Sequence, residues 1–331
     1  MRAVQITELK GPSEALELVD LPELAEPSHL MTPGSGVIVE VHTAGVSFPE
    51  VLQTRGEYQV KPPLPFVPGS EVAGIVRAVA GDADVQEGDR VAAFCMLGAF
   101  AETAVAPVWM TFRLPDALDY AQGAGLILNY HTAYFALKLR GRLQAGESVL
   151  VHGAAGGVGT AAIQVAKGLG ARTIACVSSD EKERVAREAG ADEVVRSDAE
   201  WKDQVKEISG GGVDVVLDPV GGDRFTDSLR SLAEGGRAVV VGFTAGSIPE
   251  VRVNRLLLKN TEVVGAGWGA YVMGKPEVNR EIQAAIDSMI DDGVVRPIVG
   301  ARFPLERASE ALELIDGRGA TGKVVLDVRG G

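Results

Sequence analysis

The fold of this chain is decided by the glycine-rich stretch LVHGAAGGVG at residues 150–159. It follows a strand-like run at 148–151 and opens a helical pattern at 157–169. Glycines at such a junction let the backbone turn sharply and approach a pyrophosphate, whose charge the helix N-terminus then stabilises. The spacing is not the standard G-x-G-x-x-G, but this context predicts dinucleotide binding, against the alternative of a purely steric turn. The loop residues expected at the cofactor are Gly153, Ala155, Gly156, Gly157, Val158 and Gly159.

Strand and helix patterns alternate along the chain from this loop onward. Strands are predicted at 148–151, 172–177, 193–195, 213–217, 237–241 and 261–265. Helices are predicted between them at 157–169, 180–189, 201–208 and 225–233. Such alternation indicates a mostly parallel sheet covered on both faces. Six strands match the two halves of a Rossmann-type, doubly wound dinucleotide-binding fold of the α/β class.

The second strand of this pattern ends in two hydroxyl residues, Ser178 and Ser179, and Lys182 follows shortly after. An NAD-selective site has a carboxylate at this strand tip, which accepts hydrogen bonds from the adenosine ribose. Hydroxyls and a cation suit a 2′-phosphate instead, and the sequence therefore favours NADP(H). Two alternatives stay open: Asp180 binds the ribose of NAD, or Ser179 and Asp180 only cap the helix while Lys182 is solvated.

The first part of the chain has a different pattern, with short strand-like runs separated by Gly and Pro. Strands are predicted at 37–41, 71–80 and 91–94, and four prolines between residues 62 and 68 interrupt any longer element. This pattern suggests a small β-barrel. A helical stretch is predicted at 119–139. Beyond residue 268 the alternation stops, and helices at 277–291 and 305–314 with a last strand at 321–326 form a tail that could return to the first domain.

The composition disfavours several function classes. Among 331 residues there are 32 Lys plus Arg and 45 Asp plus Glu, a formal net charge of −13. Nucleic acids and anionic lipids are recognised by clustered positive charge, so we expect neither as a partner. The chain shows no membrane-length apolar run and no signal-peptide pattern. Its two cysteines, Cys95 and Cys176, make neither a disulfide framework nor a four-cysteine zinc site, and a cytoplasmic protein is expected.

Eight motifs, in order along nearly the whole chain, carry a resemblance to a known family. They are AGVSFPE at 44–50, RGEY at 55–58, PLPFVPGSE at 63–71, GDRV at 88–91, HTAY at 131–134, GAAGGVG at 153–159, DPVGG at 218–222 and ATGKVV at 320–325. Together they resemble the zinc-independent medium-chain dehydrogenases/reductases of the quinone oxidoreductase, or zeta-crystallin-like, type. The resemblance implies a GroES-like β-barrel catalytic domain at 1–126, completed by 267–331, and a Rossmann NADP-binding domain at 127–266. It places the active site in the cleft between them.

The same resemblance implies roles for individual residues. Tyr58 stands where the family has a tyrosine facing the nicotinamide, and its phenol could donate to the acceptor or only line the pocket. Ser47 falls where many quinone reductases carry Asn, and its hydroxyl is the second catalytic candidate. The cofactor contacts implied outside the loops already named are Asn129, Thr132, Gly242, Phe243, Trp268 and Lys323. For Lys323 the alternative is a place at the substrate mouth. For Asn129 and Thr132 the alternative is local capping or backbone bonding, and for Trp268 it is a core position.

The resemblance also bears on metal. Zinc alcohol dehydrogenases of the wider superfamily use a Cys, a His and a further Cys or carboxylate as ligands. The positions of the first Cys and the His hold Ser47 and Ser70 here, and Glu71 remains. We therefore expect no metal. Without a Lewis acid the oxidation of an alcohol is disfavoured, whereas hydride addition to an electron-poor quinone or enone needs less polarisation.

These observations predict an NADPH-dependent reductase of quinones or α,β-unsaturated carbonyls that transfers hydride without zinc. One alternative is a 2-enoyl thioester reductase acting on enoyl-CoA or an acyl carrier. Another, from a different class, is an NADPH-binding protein with little catalysis. The expected partner is a small-molecule quinone or enone. Family members commonly form homodimers through the cofactor domain, so an extended strand near 253–264 is expected to pair across a twofold axis.

Overall fold

The computed structural model describes residues 1–198 and 200–329. The chain divides into two units, the first formed by Met1–Leu128 with the described part of 297–331, and the second by Asn129–Arg296. The return to the first unit begins at Pro297 and not near residue 267. The reason is that the long helix Pro276–Asp291 packs within the second unit, against the helix Gly157–Gly168. Gly330 and Gly331, at the end of the predicted return segment, lie outside the described residues.

The secondary structure of residues 1–198 and 200–329 alternates between strands and mostly short helices. The strands are β1 (Arg2–Ile6), β2 (Leu16–Asp20), β3 (Gly36–Val46), β4 (Glu71–Ala80), β5 (Arg90–Phe94), β6 (Thr103–Ala106), β7 (Thr111–Arg113), β8 (Ser148–His152), β9 (Arg172–Val177), β10 (Glu193–Arg196), β11 (Val213–Asp218), β12 (Leu232–Val240), β13 (Glu262–Gly265), β14 (Val299–Pro304) and β15 (Lys323–Asp327). The helices are α1 (Phe48–Gln53), α2 (Tyr120–Gly123), α3 (Thr132–Tyr134), α4 (Gly157–Gly168), α5 (Asp180–Glu188), α6 (Trp201–Ser209), α7 (Phe225–Arg230), α8 (Asn254–Lys259), α9 (Trp268–Val272), α10 (Pro276–Asp291) and α11 (Ala308–Asp316). Within these described residues, no helix combines the length and the apolar character that a bilayer crossing requires.

The second unit is built on a six-stranded parallel sheet with the order β10-β9-β8-β11-β12-β13. Its strands are rich in β-branched residues, and central side chains such as Leu150 and Val216 are completely buried. This is the composition expected of a parallel sheet covered on both faces. The order is that of a doubly wound fold, in which ligands bind at the carboxyl ends of the strands where the order reverses. That point lies between β8 and β11, and the predicted Rossmann fold class is confirmed.

The first unit is built on a mostly antiparallel sheet with the order β14-β15-β3-β4-β5-β7, in which β6 also pairs with β3. β14 and β15 run parallel to each other, and β15 is antiparallel to β3. The core of this unit contains Val37, Val39, Val41 and Val72, all with no exposed surface. The C-terminal strands therefore complete the sheet begun by the N-terminal part, which is the return that the tail pattern suggested.

Two predicted elements have a different type of secondary structure over much of their length. The stretch 119–139 is not one helix, because two π-helical turns, Ile127–His131 and Phe135–Arg140, flank the single turn α3. The extended strand expected near 253–264 is wrong for its first half. The Leu-rich segment 254–259 forms α8, since Leu and Lys favour helix, and only β13 is extended. Asn260, at a φ of 52°, ends α8 in the left-handed conformation and separates it from β13.

Candidate active site

Three neighbouring strands of the first unit bring chemistry-bearing residues together. In the register of the sheet, the last two residues of β3 pair with Glu71 at the start of β4 and with Val324 in β15. Ser47 directly follows β3, and Lys323 directly precedes Val324. The sheet therefore places Ser47, Glu71 and Lys323 side by side, although they are far apart in sequence.

A buried ion pair lies at the centre of this group. The Lys323 ammonium contacts the Glu71 carboxylate and donates a hydrogen bond to the Ser47 hydroxyl, with 2.8 Å between Nζ and Oγ. The side chains of Lys323 and Glu71 are 3% and 1% exposed. The second oxygen of Glu71 accepts a hydrogen bond from the backbone N–H of Leu128 at 2.9 Å. Both charged groups therefore have the partners that buried charges require.

Glycine backbone makes room for the lysine stem. A Cβ atom at Gly45 would lie 2.7 Å from Cε of Lys323, and a Cβ atom at Gly125 would lie 3.0 Å from its Cγ. Two carbon atoms cannot come as close as the first distance without displacement, and the second distance is tighter than an ordinary van der Waals contact. A Cβ atom at Gly45 would also meet the backbone oxygen of Ala124 and the Glu71 side chain, so a larger residue there would disturb the packing around the ion pair.

A second carboxylate, Glu50, holds the backbone at Ser47. Ser47 is the N-cap of α1, and its backbone N–H donates to Glu50 Oε2 at 2.9 Å. The other oxygen of Glu50 accepts a hydrogen bond from the Ser70 hydroxyl at 2.6 Å. Burial raises the pKa of Glu50, against the opposing effects of the Ser70 hydrogen bond and the Lys323 ammonium. Ser47 is thus held by a carboxylate at its main chain and by an ammonium at its hydroxyl.

Tyr58 lies in a bend shortly after α1 and is half-buried. Burial raises the pKa of its phenol, and the negative charge of Glu50 raises it further. The phenol therefore stays protonated at neutral pH and can donate a hydrogen bond. No side chain among residues 1–198 and 200–329 hydrogen-bonds this hydroxyl, so its proton is available to a ligand.

The chemistry of this cluster does not fit zinc. Zinc in proteins is bound by Cys thiolates, His nitrogens and carboxylates, whereas Ser47 and Ser70 offer hydroxyls and Lys323 brings a positive charge. Cys95 is fully buried, and burial raises the pKa of its thiol to about 12, so it does not supply a thiolate. In the part of the chain that the structure describes, no group of three or more His, Cys, Asp or Glu side chains is placed to hold a metal ion.

The glycine loop of the second unit has the geometry of an anion-binding turn. β8 ends at His152, Gly153 turns the chain with a φ of 58°, and Gly156 is the N-cap of α4 without a side-chain hydrogen bond to the helix. Glycine has no side chain that could accept hydrogen bonds from the first N–H groups of α4, and these groups are therefore suited to bind a phosphate. The predicted loop residues that lie here are Gly153, Ala155, Gly156, Gly157, Val158 and Gly159.

Asn129 lies against this loop. A Cβ atom at Gly157 would be only 2.6 Å from Nδ2 of Asn129, so glycine allows the amide to approach the start of α4. Thr132, at the start of α3, is buried, and α3 packs against α4. Both residues are therefore in the neighbourhood of the loop, and their contact with a cofactor stays a prediction.

The tip of β9 carries the predicted hydroxyls and cation close together. Lys182 Nζ donates to the Ser178 hydroxyl at 3.2 Å, and the Ser179 hydroxyl accepts from the backbone N–H of Lys182 as the N-cap of α5. Asp180 is fully exposed and is hydrogen-bonded by the guanidinium of Arg196, which also bonds Glu183 at 2.6 Å. The negative charge of Asp180 is thus matched by a neighbouring cation.

The loops that follow β11 and β12 lie beside each other. Two backbone N–H groups, those of Val220 and Gly221, donate to the buried Asp218 carboxylate at 2.8 and 2.9 Å and fix the turn after β11. The ring of Phe243 lies over this turn, where a Cβ atom at Gly221 would be 2.9 Å from Cδ1. Gly242 and Phe243 thus lie at the carboxyl edge of the parallel sheet, where ligands bind in this fold.

Two predicted cofactor contacts are placed in the interior. Trp268 is 2% exposed, and its indole N–H donates to Asn279 at 3.2 Å. Its edge-to-face contact with His131 favours the core alternative, because little of its surface remains for a ligand. Lys323 has its ammonium bound to Glu71 and Ser47. A role of either residue in cofactor binding stays a prediction.

Sequence reasoning missed Glu50 as a partner of Ser47 and Arg196 as a partner of Asp180. Glu50 had a readable signal, because Ser47 followed three positions later by Glu is the capping-box spacing. Arg196 had no signal in the local sequence, because its contact with Asp180 depends on the parallel pairing of β9 with β10.

Comparison with known proteins gives similarity over the whole chain. The family model "Alcohol dehydrogenase GroES-like domain" matches residues 33–116, and "Zinc-binding dehydrogenase" matches residues 157–289. The mouse quinone oxidoreductase-like protein 2 is 40% identical over 99% of this chain and 92% of its own length. The first unit thus corresponds to a GroES-like domain, as the resemblance implied.

Two solved structures are similar over nearly their full lengths. The quinone oxidoreductase of Thermus thermophilus, solved alone and with NADPH, is 35% identical with a TM-score of 0.83, covering 99% of this chain and 100% of that one. The Escherichia coli quinone oxidoreductase complexed with NADPH is 31% identical with a TM-score of 0.88 and the same coverage.

Proposed function

This chain belongs to the quinone oxidoreductase family of the medium-chain dehydrogenases/reductases, and from that premise we propose that it is an NADPH-dependent reductase of quinones or α,β-unsaturated carbonyls. The observation that carries the proposal is the buried cluster of Ser47, Lys323 and Glu71. By the resemblance, Ser47 stands where zinc alcohol dehydrogenases have a metal ligand, and the cluster presents a hydroxyl and an ammonium around that position. Such a site suits acceptors that already carry an electron-withdrawing carbonyl.

The second unit would hold the cofactor. The pyrophosphate would bind at the N-terminus of α4, and the 2′-phosphate would bind at Ser178, Ser179 and Lys182 at the tip of β9. NADPH supplies a hydride from its nicotinamide ring when it is bound. The pairing of Asp180 with Arg196 supports NADPH over NADH, because it occupies the carboxylate that would otherwise bind the ribose hydroxyls.

The first unit would polarise the acceptor. The hydroxyl groups of Ser47 and Tyr58 can each donate a hydrogen bond to the developing oxyanion when hydride reaches the acceptor. In the complete reaction, quinone, NADPH and one proton from solvent give hydroquinone and NADP⁺. The contribution of the protein is then orientation together with one or two fixed hydrogen-bond donors.

We extend the proposal to zinc-independent hydride transfer. The Glu71 carboxylate is already paired with the Lys323 ammonium, and neither Ser47 nor Ser70 is a ligand that zinc prefers. An ammonium fixed beside a hydroxyl would supply part of the electrostatic stabilisation that a Lewis acid supplies elsewhere.

A homodimer through the second unit is also proposed. β13 is an edge strand of the parallel sheet, and an edge leaves backbone groups unpaired. Next to it, Val253, Leu257 and Leu258 are between 73% and 80% exposed. A second copy of this chain that pairs through β13 would cover them. Sedimentation should give twice the monomer mass of 34.6 kDa, and a monomer at micromolar concentration would contradict this part.

Steady-state turnover tests the proposal. Purified protein is assayed with NADPH and with NADH against a benzoquinone, a small enone and an enoyl-CoA. We expect turnover of the quinone or the enone, with a higher kcat/KM for NADPH. Preference for enoyl-CoA would favour the thioester reductase, and tight NADPH binding without turnover of any acceptor would favour the binding protein.

A further inference from the structure

The Ser47 hydroxyl has an unusual set of partners. A serine hydroxyl has one proton to donate and two lone pairs to accept with. One lone pair accepts a hydrogen bond from the Lys323 ammonium at 2.8 Å. An ammonium has no lone pair, so the Ser47 proton cannot point toward it. Among residues 1–198 and 200–329 the structure shows no acceptor for that proton.

The ammonium that faces Ser47 is fixed on every side. The Glu71 carboxylate neutralises it, the stem passes beside Gly45 and Gly125, and only 3% of the side chain is exposed. Stability alone does not account for this arrangement, because the desolvation of a buried ion pair commonly offsets its attraction. A hydrogen bond from an ionised donor is short and strong, and it polarises the group that accepts it.

We propose that Lys323 is a positioning residue for the reaction: its buried ammonium polarises the Ser47 hydroxyl and aims the proton of that hydroxyl at the acceptor oxygen. This inference rests on the proposed reductase function and deepens it. Lys323 keeps its own protons throughout, and Ser47 donates a hydrogen bond without losing its proton. Glu50 has the complementary task of fixing the Ser47 main chain through its 2.9 Å hydrogen bond. This role differs from binding of a cofactor phosphate by Lys323.

A double-mutant cycle separates the two roles. Lys323→Met keeps the length of the stem and removes the charge, and Ser47→Ala removes the hydroxyl. We expect each variant to lower kcat for a benzoquinone about tenfold with an unchanged Kd for NADPH. In the Ser47→Ala background, Lys323→Met should have almost no further effect, because the group through which it acts is gone. The exposed Lys10→Met serves as a control for the substitution type and should match the wild type.

A second readout distinguishes positioning from a general structural defect. A series of benzoquinones with different electron-withdrawing substituents is reduced by each variant. If a polarised donor is lost, kcat should fall by a larger factor for electron-rich quinones than for electron-poor ones. A structural defect would lower all of them by the same factor. The inference is overturned if kcat falls by the same factor for every quinone. It is also overturned if the losses of kcat in the two single variants multiply in the double variant.

Folding is controlled by a further variant. Lys323→Met leaves Glu71 buried without its cationic partner, so Lys323→Met/Glu71→Gln, which removes both charges, is measured beside it. We expect this double variant to fold and to show the same tenfold loss as Ser47→Ala. A raised Kd for NADPH at full kcat would assign Lys323 to the cofactor and overturn the inference, while wild-type protein without turnover of any quinone or enone would overturn the proposed function as well.

Discussion

Two lysines of this molecule have opposite surroundings. Lys323 in the first unit is 3% exposed and fixed between a carboxylate and a hydroxyl. Lys182 in the second unit is only half-buried, and its ammonium lies at a strand tip, 3.2 Å from a serine hydroxyl. A buried, neutralised ammonium can orient its neighbours permanently, whereas a cation at the surface can exchange its partner for a dissociable phosphate. The difference teaches that two residues of one type can be suited to different tasks by their surroundings, which is why positioning is proposed for Lys323 and phosphate binding for Lys182.

The largest effect is expected from breaking the buried pair. Glu71→Ala leaves the Lys323 ammonium without its carboxylate in the interior, and an uncompensated buried charge costs about 3–5 kcal/mol in the free energy of unfolding. Urea denaturation measures it, with Lys182→Ala as the comparison variant of the surface site. A loss below about 1 kcal/mol for Glu71→Ala, the range of an exposed ion pair, would mean that the ammonium is solvated, contrary to the 3% exposure of the Lys323 side chain.

The next effect concerns the lysine at the strand tip. Lys182→Ala should raise the Kd for NADPH at least tenfold and leave the Kd for NADH unchanged, because a hydrogen bond to a charged group contributes about 1.5–3 kcal/mol. Fluorescence titration of both cofactors measures the two values. Arg196→Ala sharpens the test: it releases Asp180 and should improve the binding of NADH. If Lys182→Ala weakens the binding of NADPH and NADH equally, Lys182 does not contact the 2′-phosphate.

A smaller effect is expected at Tyr58. Tyr58→Phe removes the proposed donor to the developing oxyanion, and kcat for a quinone should fall about tenfold, which corresponds to about 1.4 kcal/mol. The Kd for NADPH should stay at the wild-type value, since phenylalanine keeps the aromatic ring and only the hydroxyl is lost. If kcat is unchanged for both a quinone and an enone, the tyrosine only lines the pocket.

The smallest effect is a change in the pH dependence of stability. Burial raises the folded-state pKa of Glu50, so the folded protein binds more protons than the unfolded chain above about pH 4.3, the ordinary glutamate value. Protonated Glu50 therefore contributes its full share of the free energy of unfolding below about pH 4.3. This contribution is lost as the pH rises through the folded-state pKa of Glu50. Glu50→Gln removes this titration and should flatten the decline in urea midpoints. An unaltered slope would show that Glu50 ionises normally.

The fold was largely predictable because its signals are local. The alternation after residue 148 repeats the same strand and helix pattern, and the positions of β8, β9 and β11 follow from hydrophobic runs between turn residues. The π-helical turns around α3 were not predictable in this way, since tertiary packing overrides the Ala- and Leu-rich pattern there. The helix α8 had a local signal, because its Leu and Lys residues favour helix.

The candidate site was predictable only in part. Motifs located Ser47, Tyr58 and the glycine loop, because these lie on contiguous stretches of sequence. The partners of Lys323 depend on the register of β3, β4 and β15, which joins residues about 250 or more positions apart and leaves no trace in any local pattern.

The central claim is that a hydroxyl beside a buried ammonium replaces a metal in an NADPH-dependent reductase. It is tested most directly by NADPH oxidation with a benzoquinone before and after exhaustive dialysis against a chelator, in wild-type protein and in Lys323→Met. We predict that chelation leaves the wild-type kcat unchanged and that Lys323→Met lowers it about tenfold in both preparations. Turnover that disappears on chelation, returns with added zinc and is indifferent to Lys323 would contradict the claim.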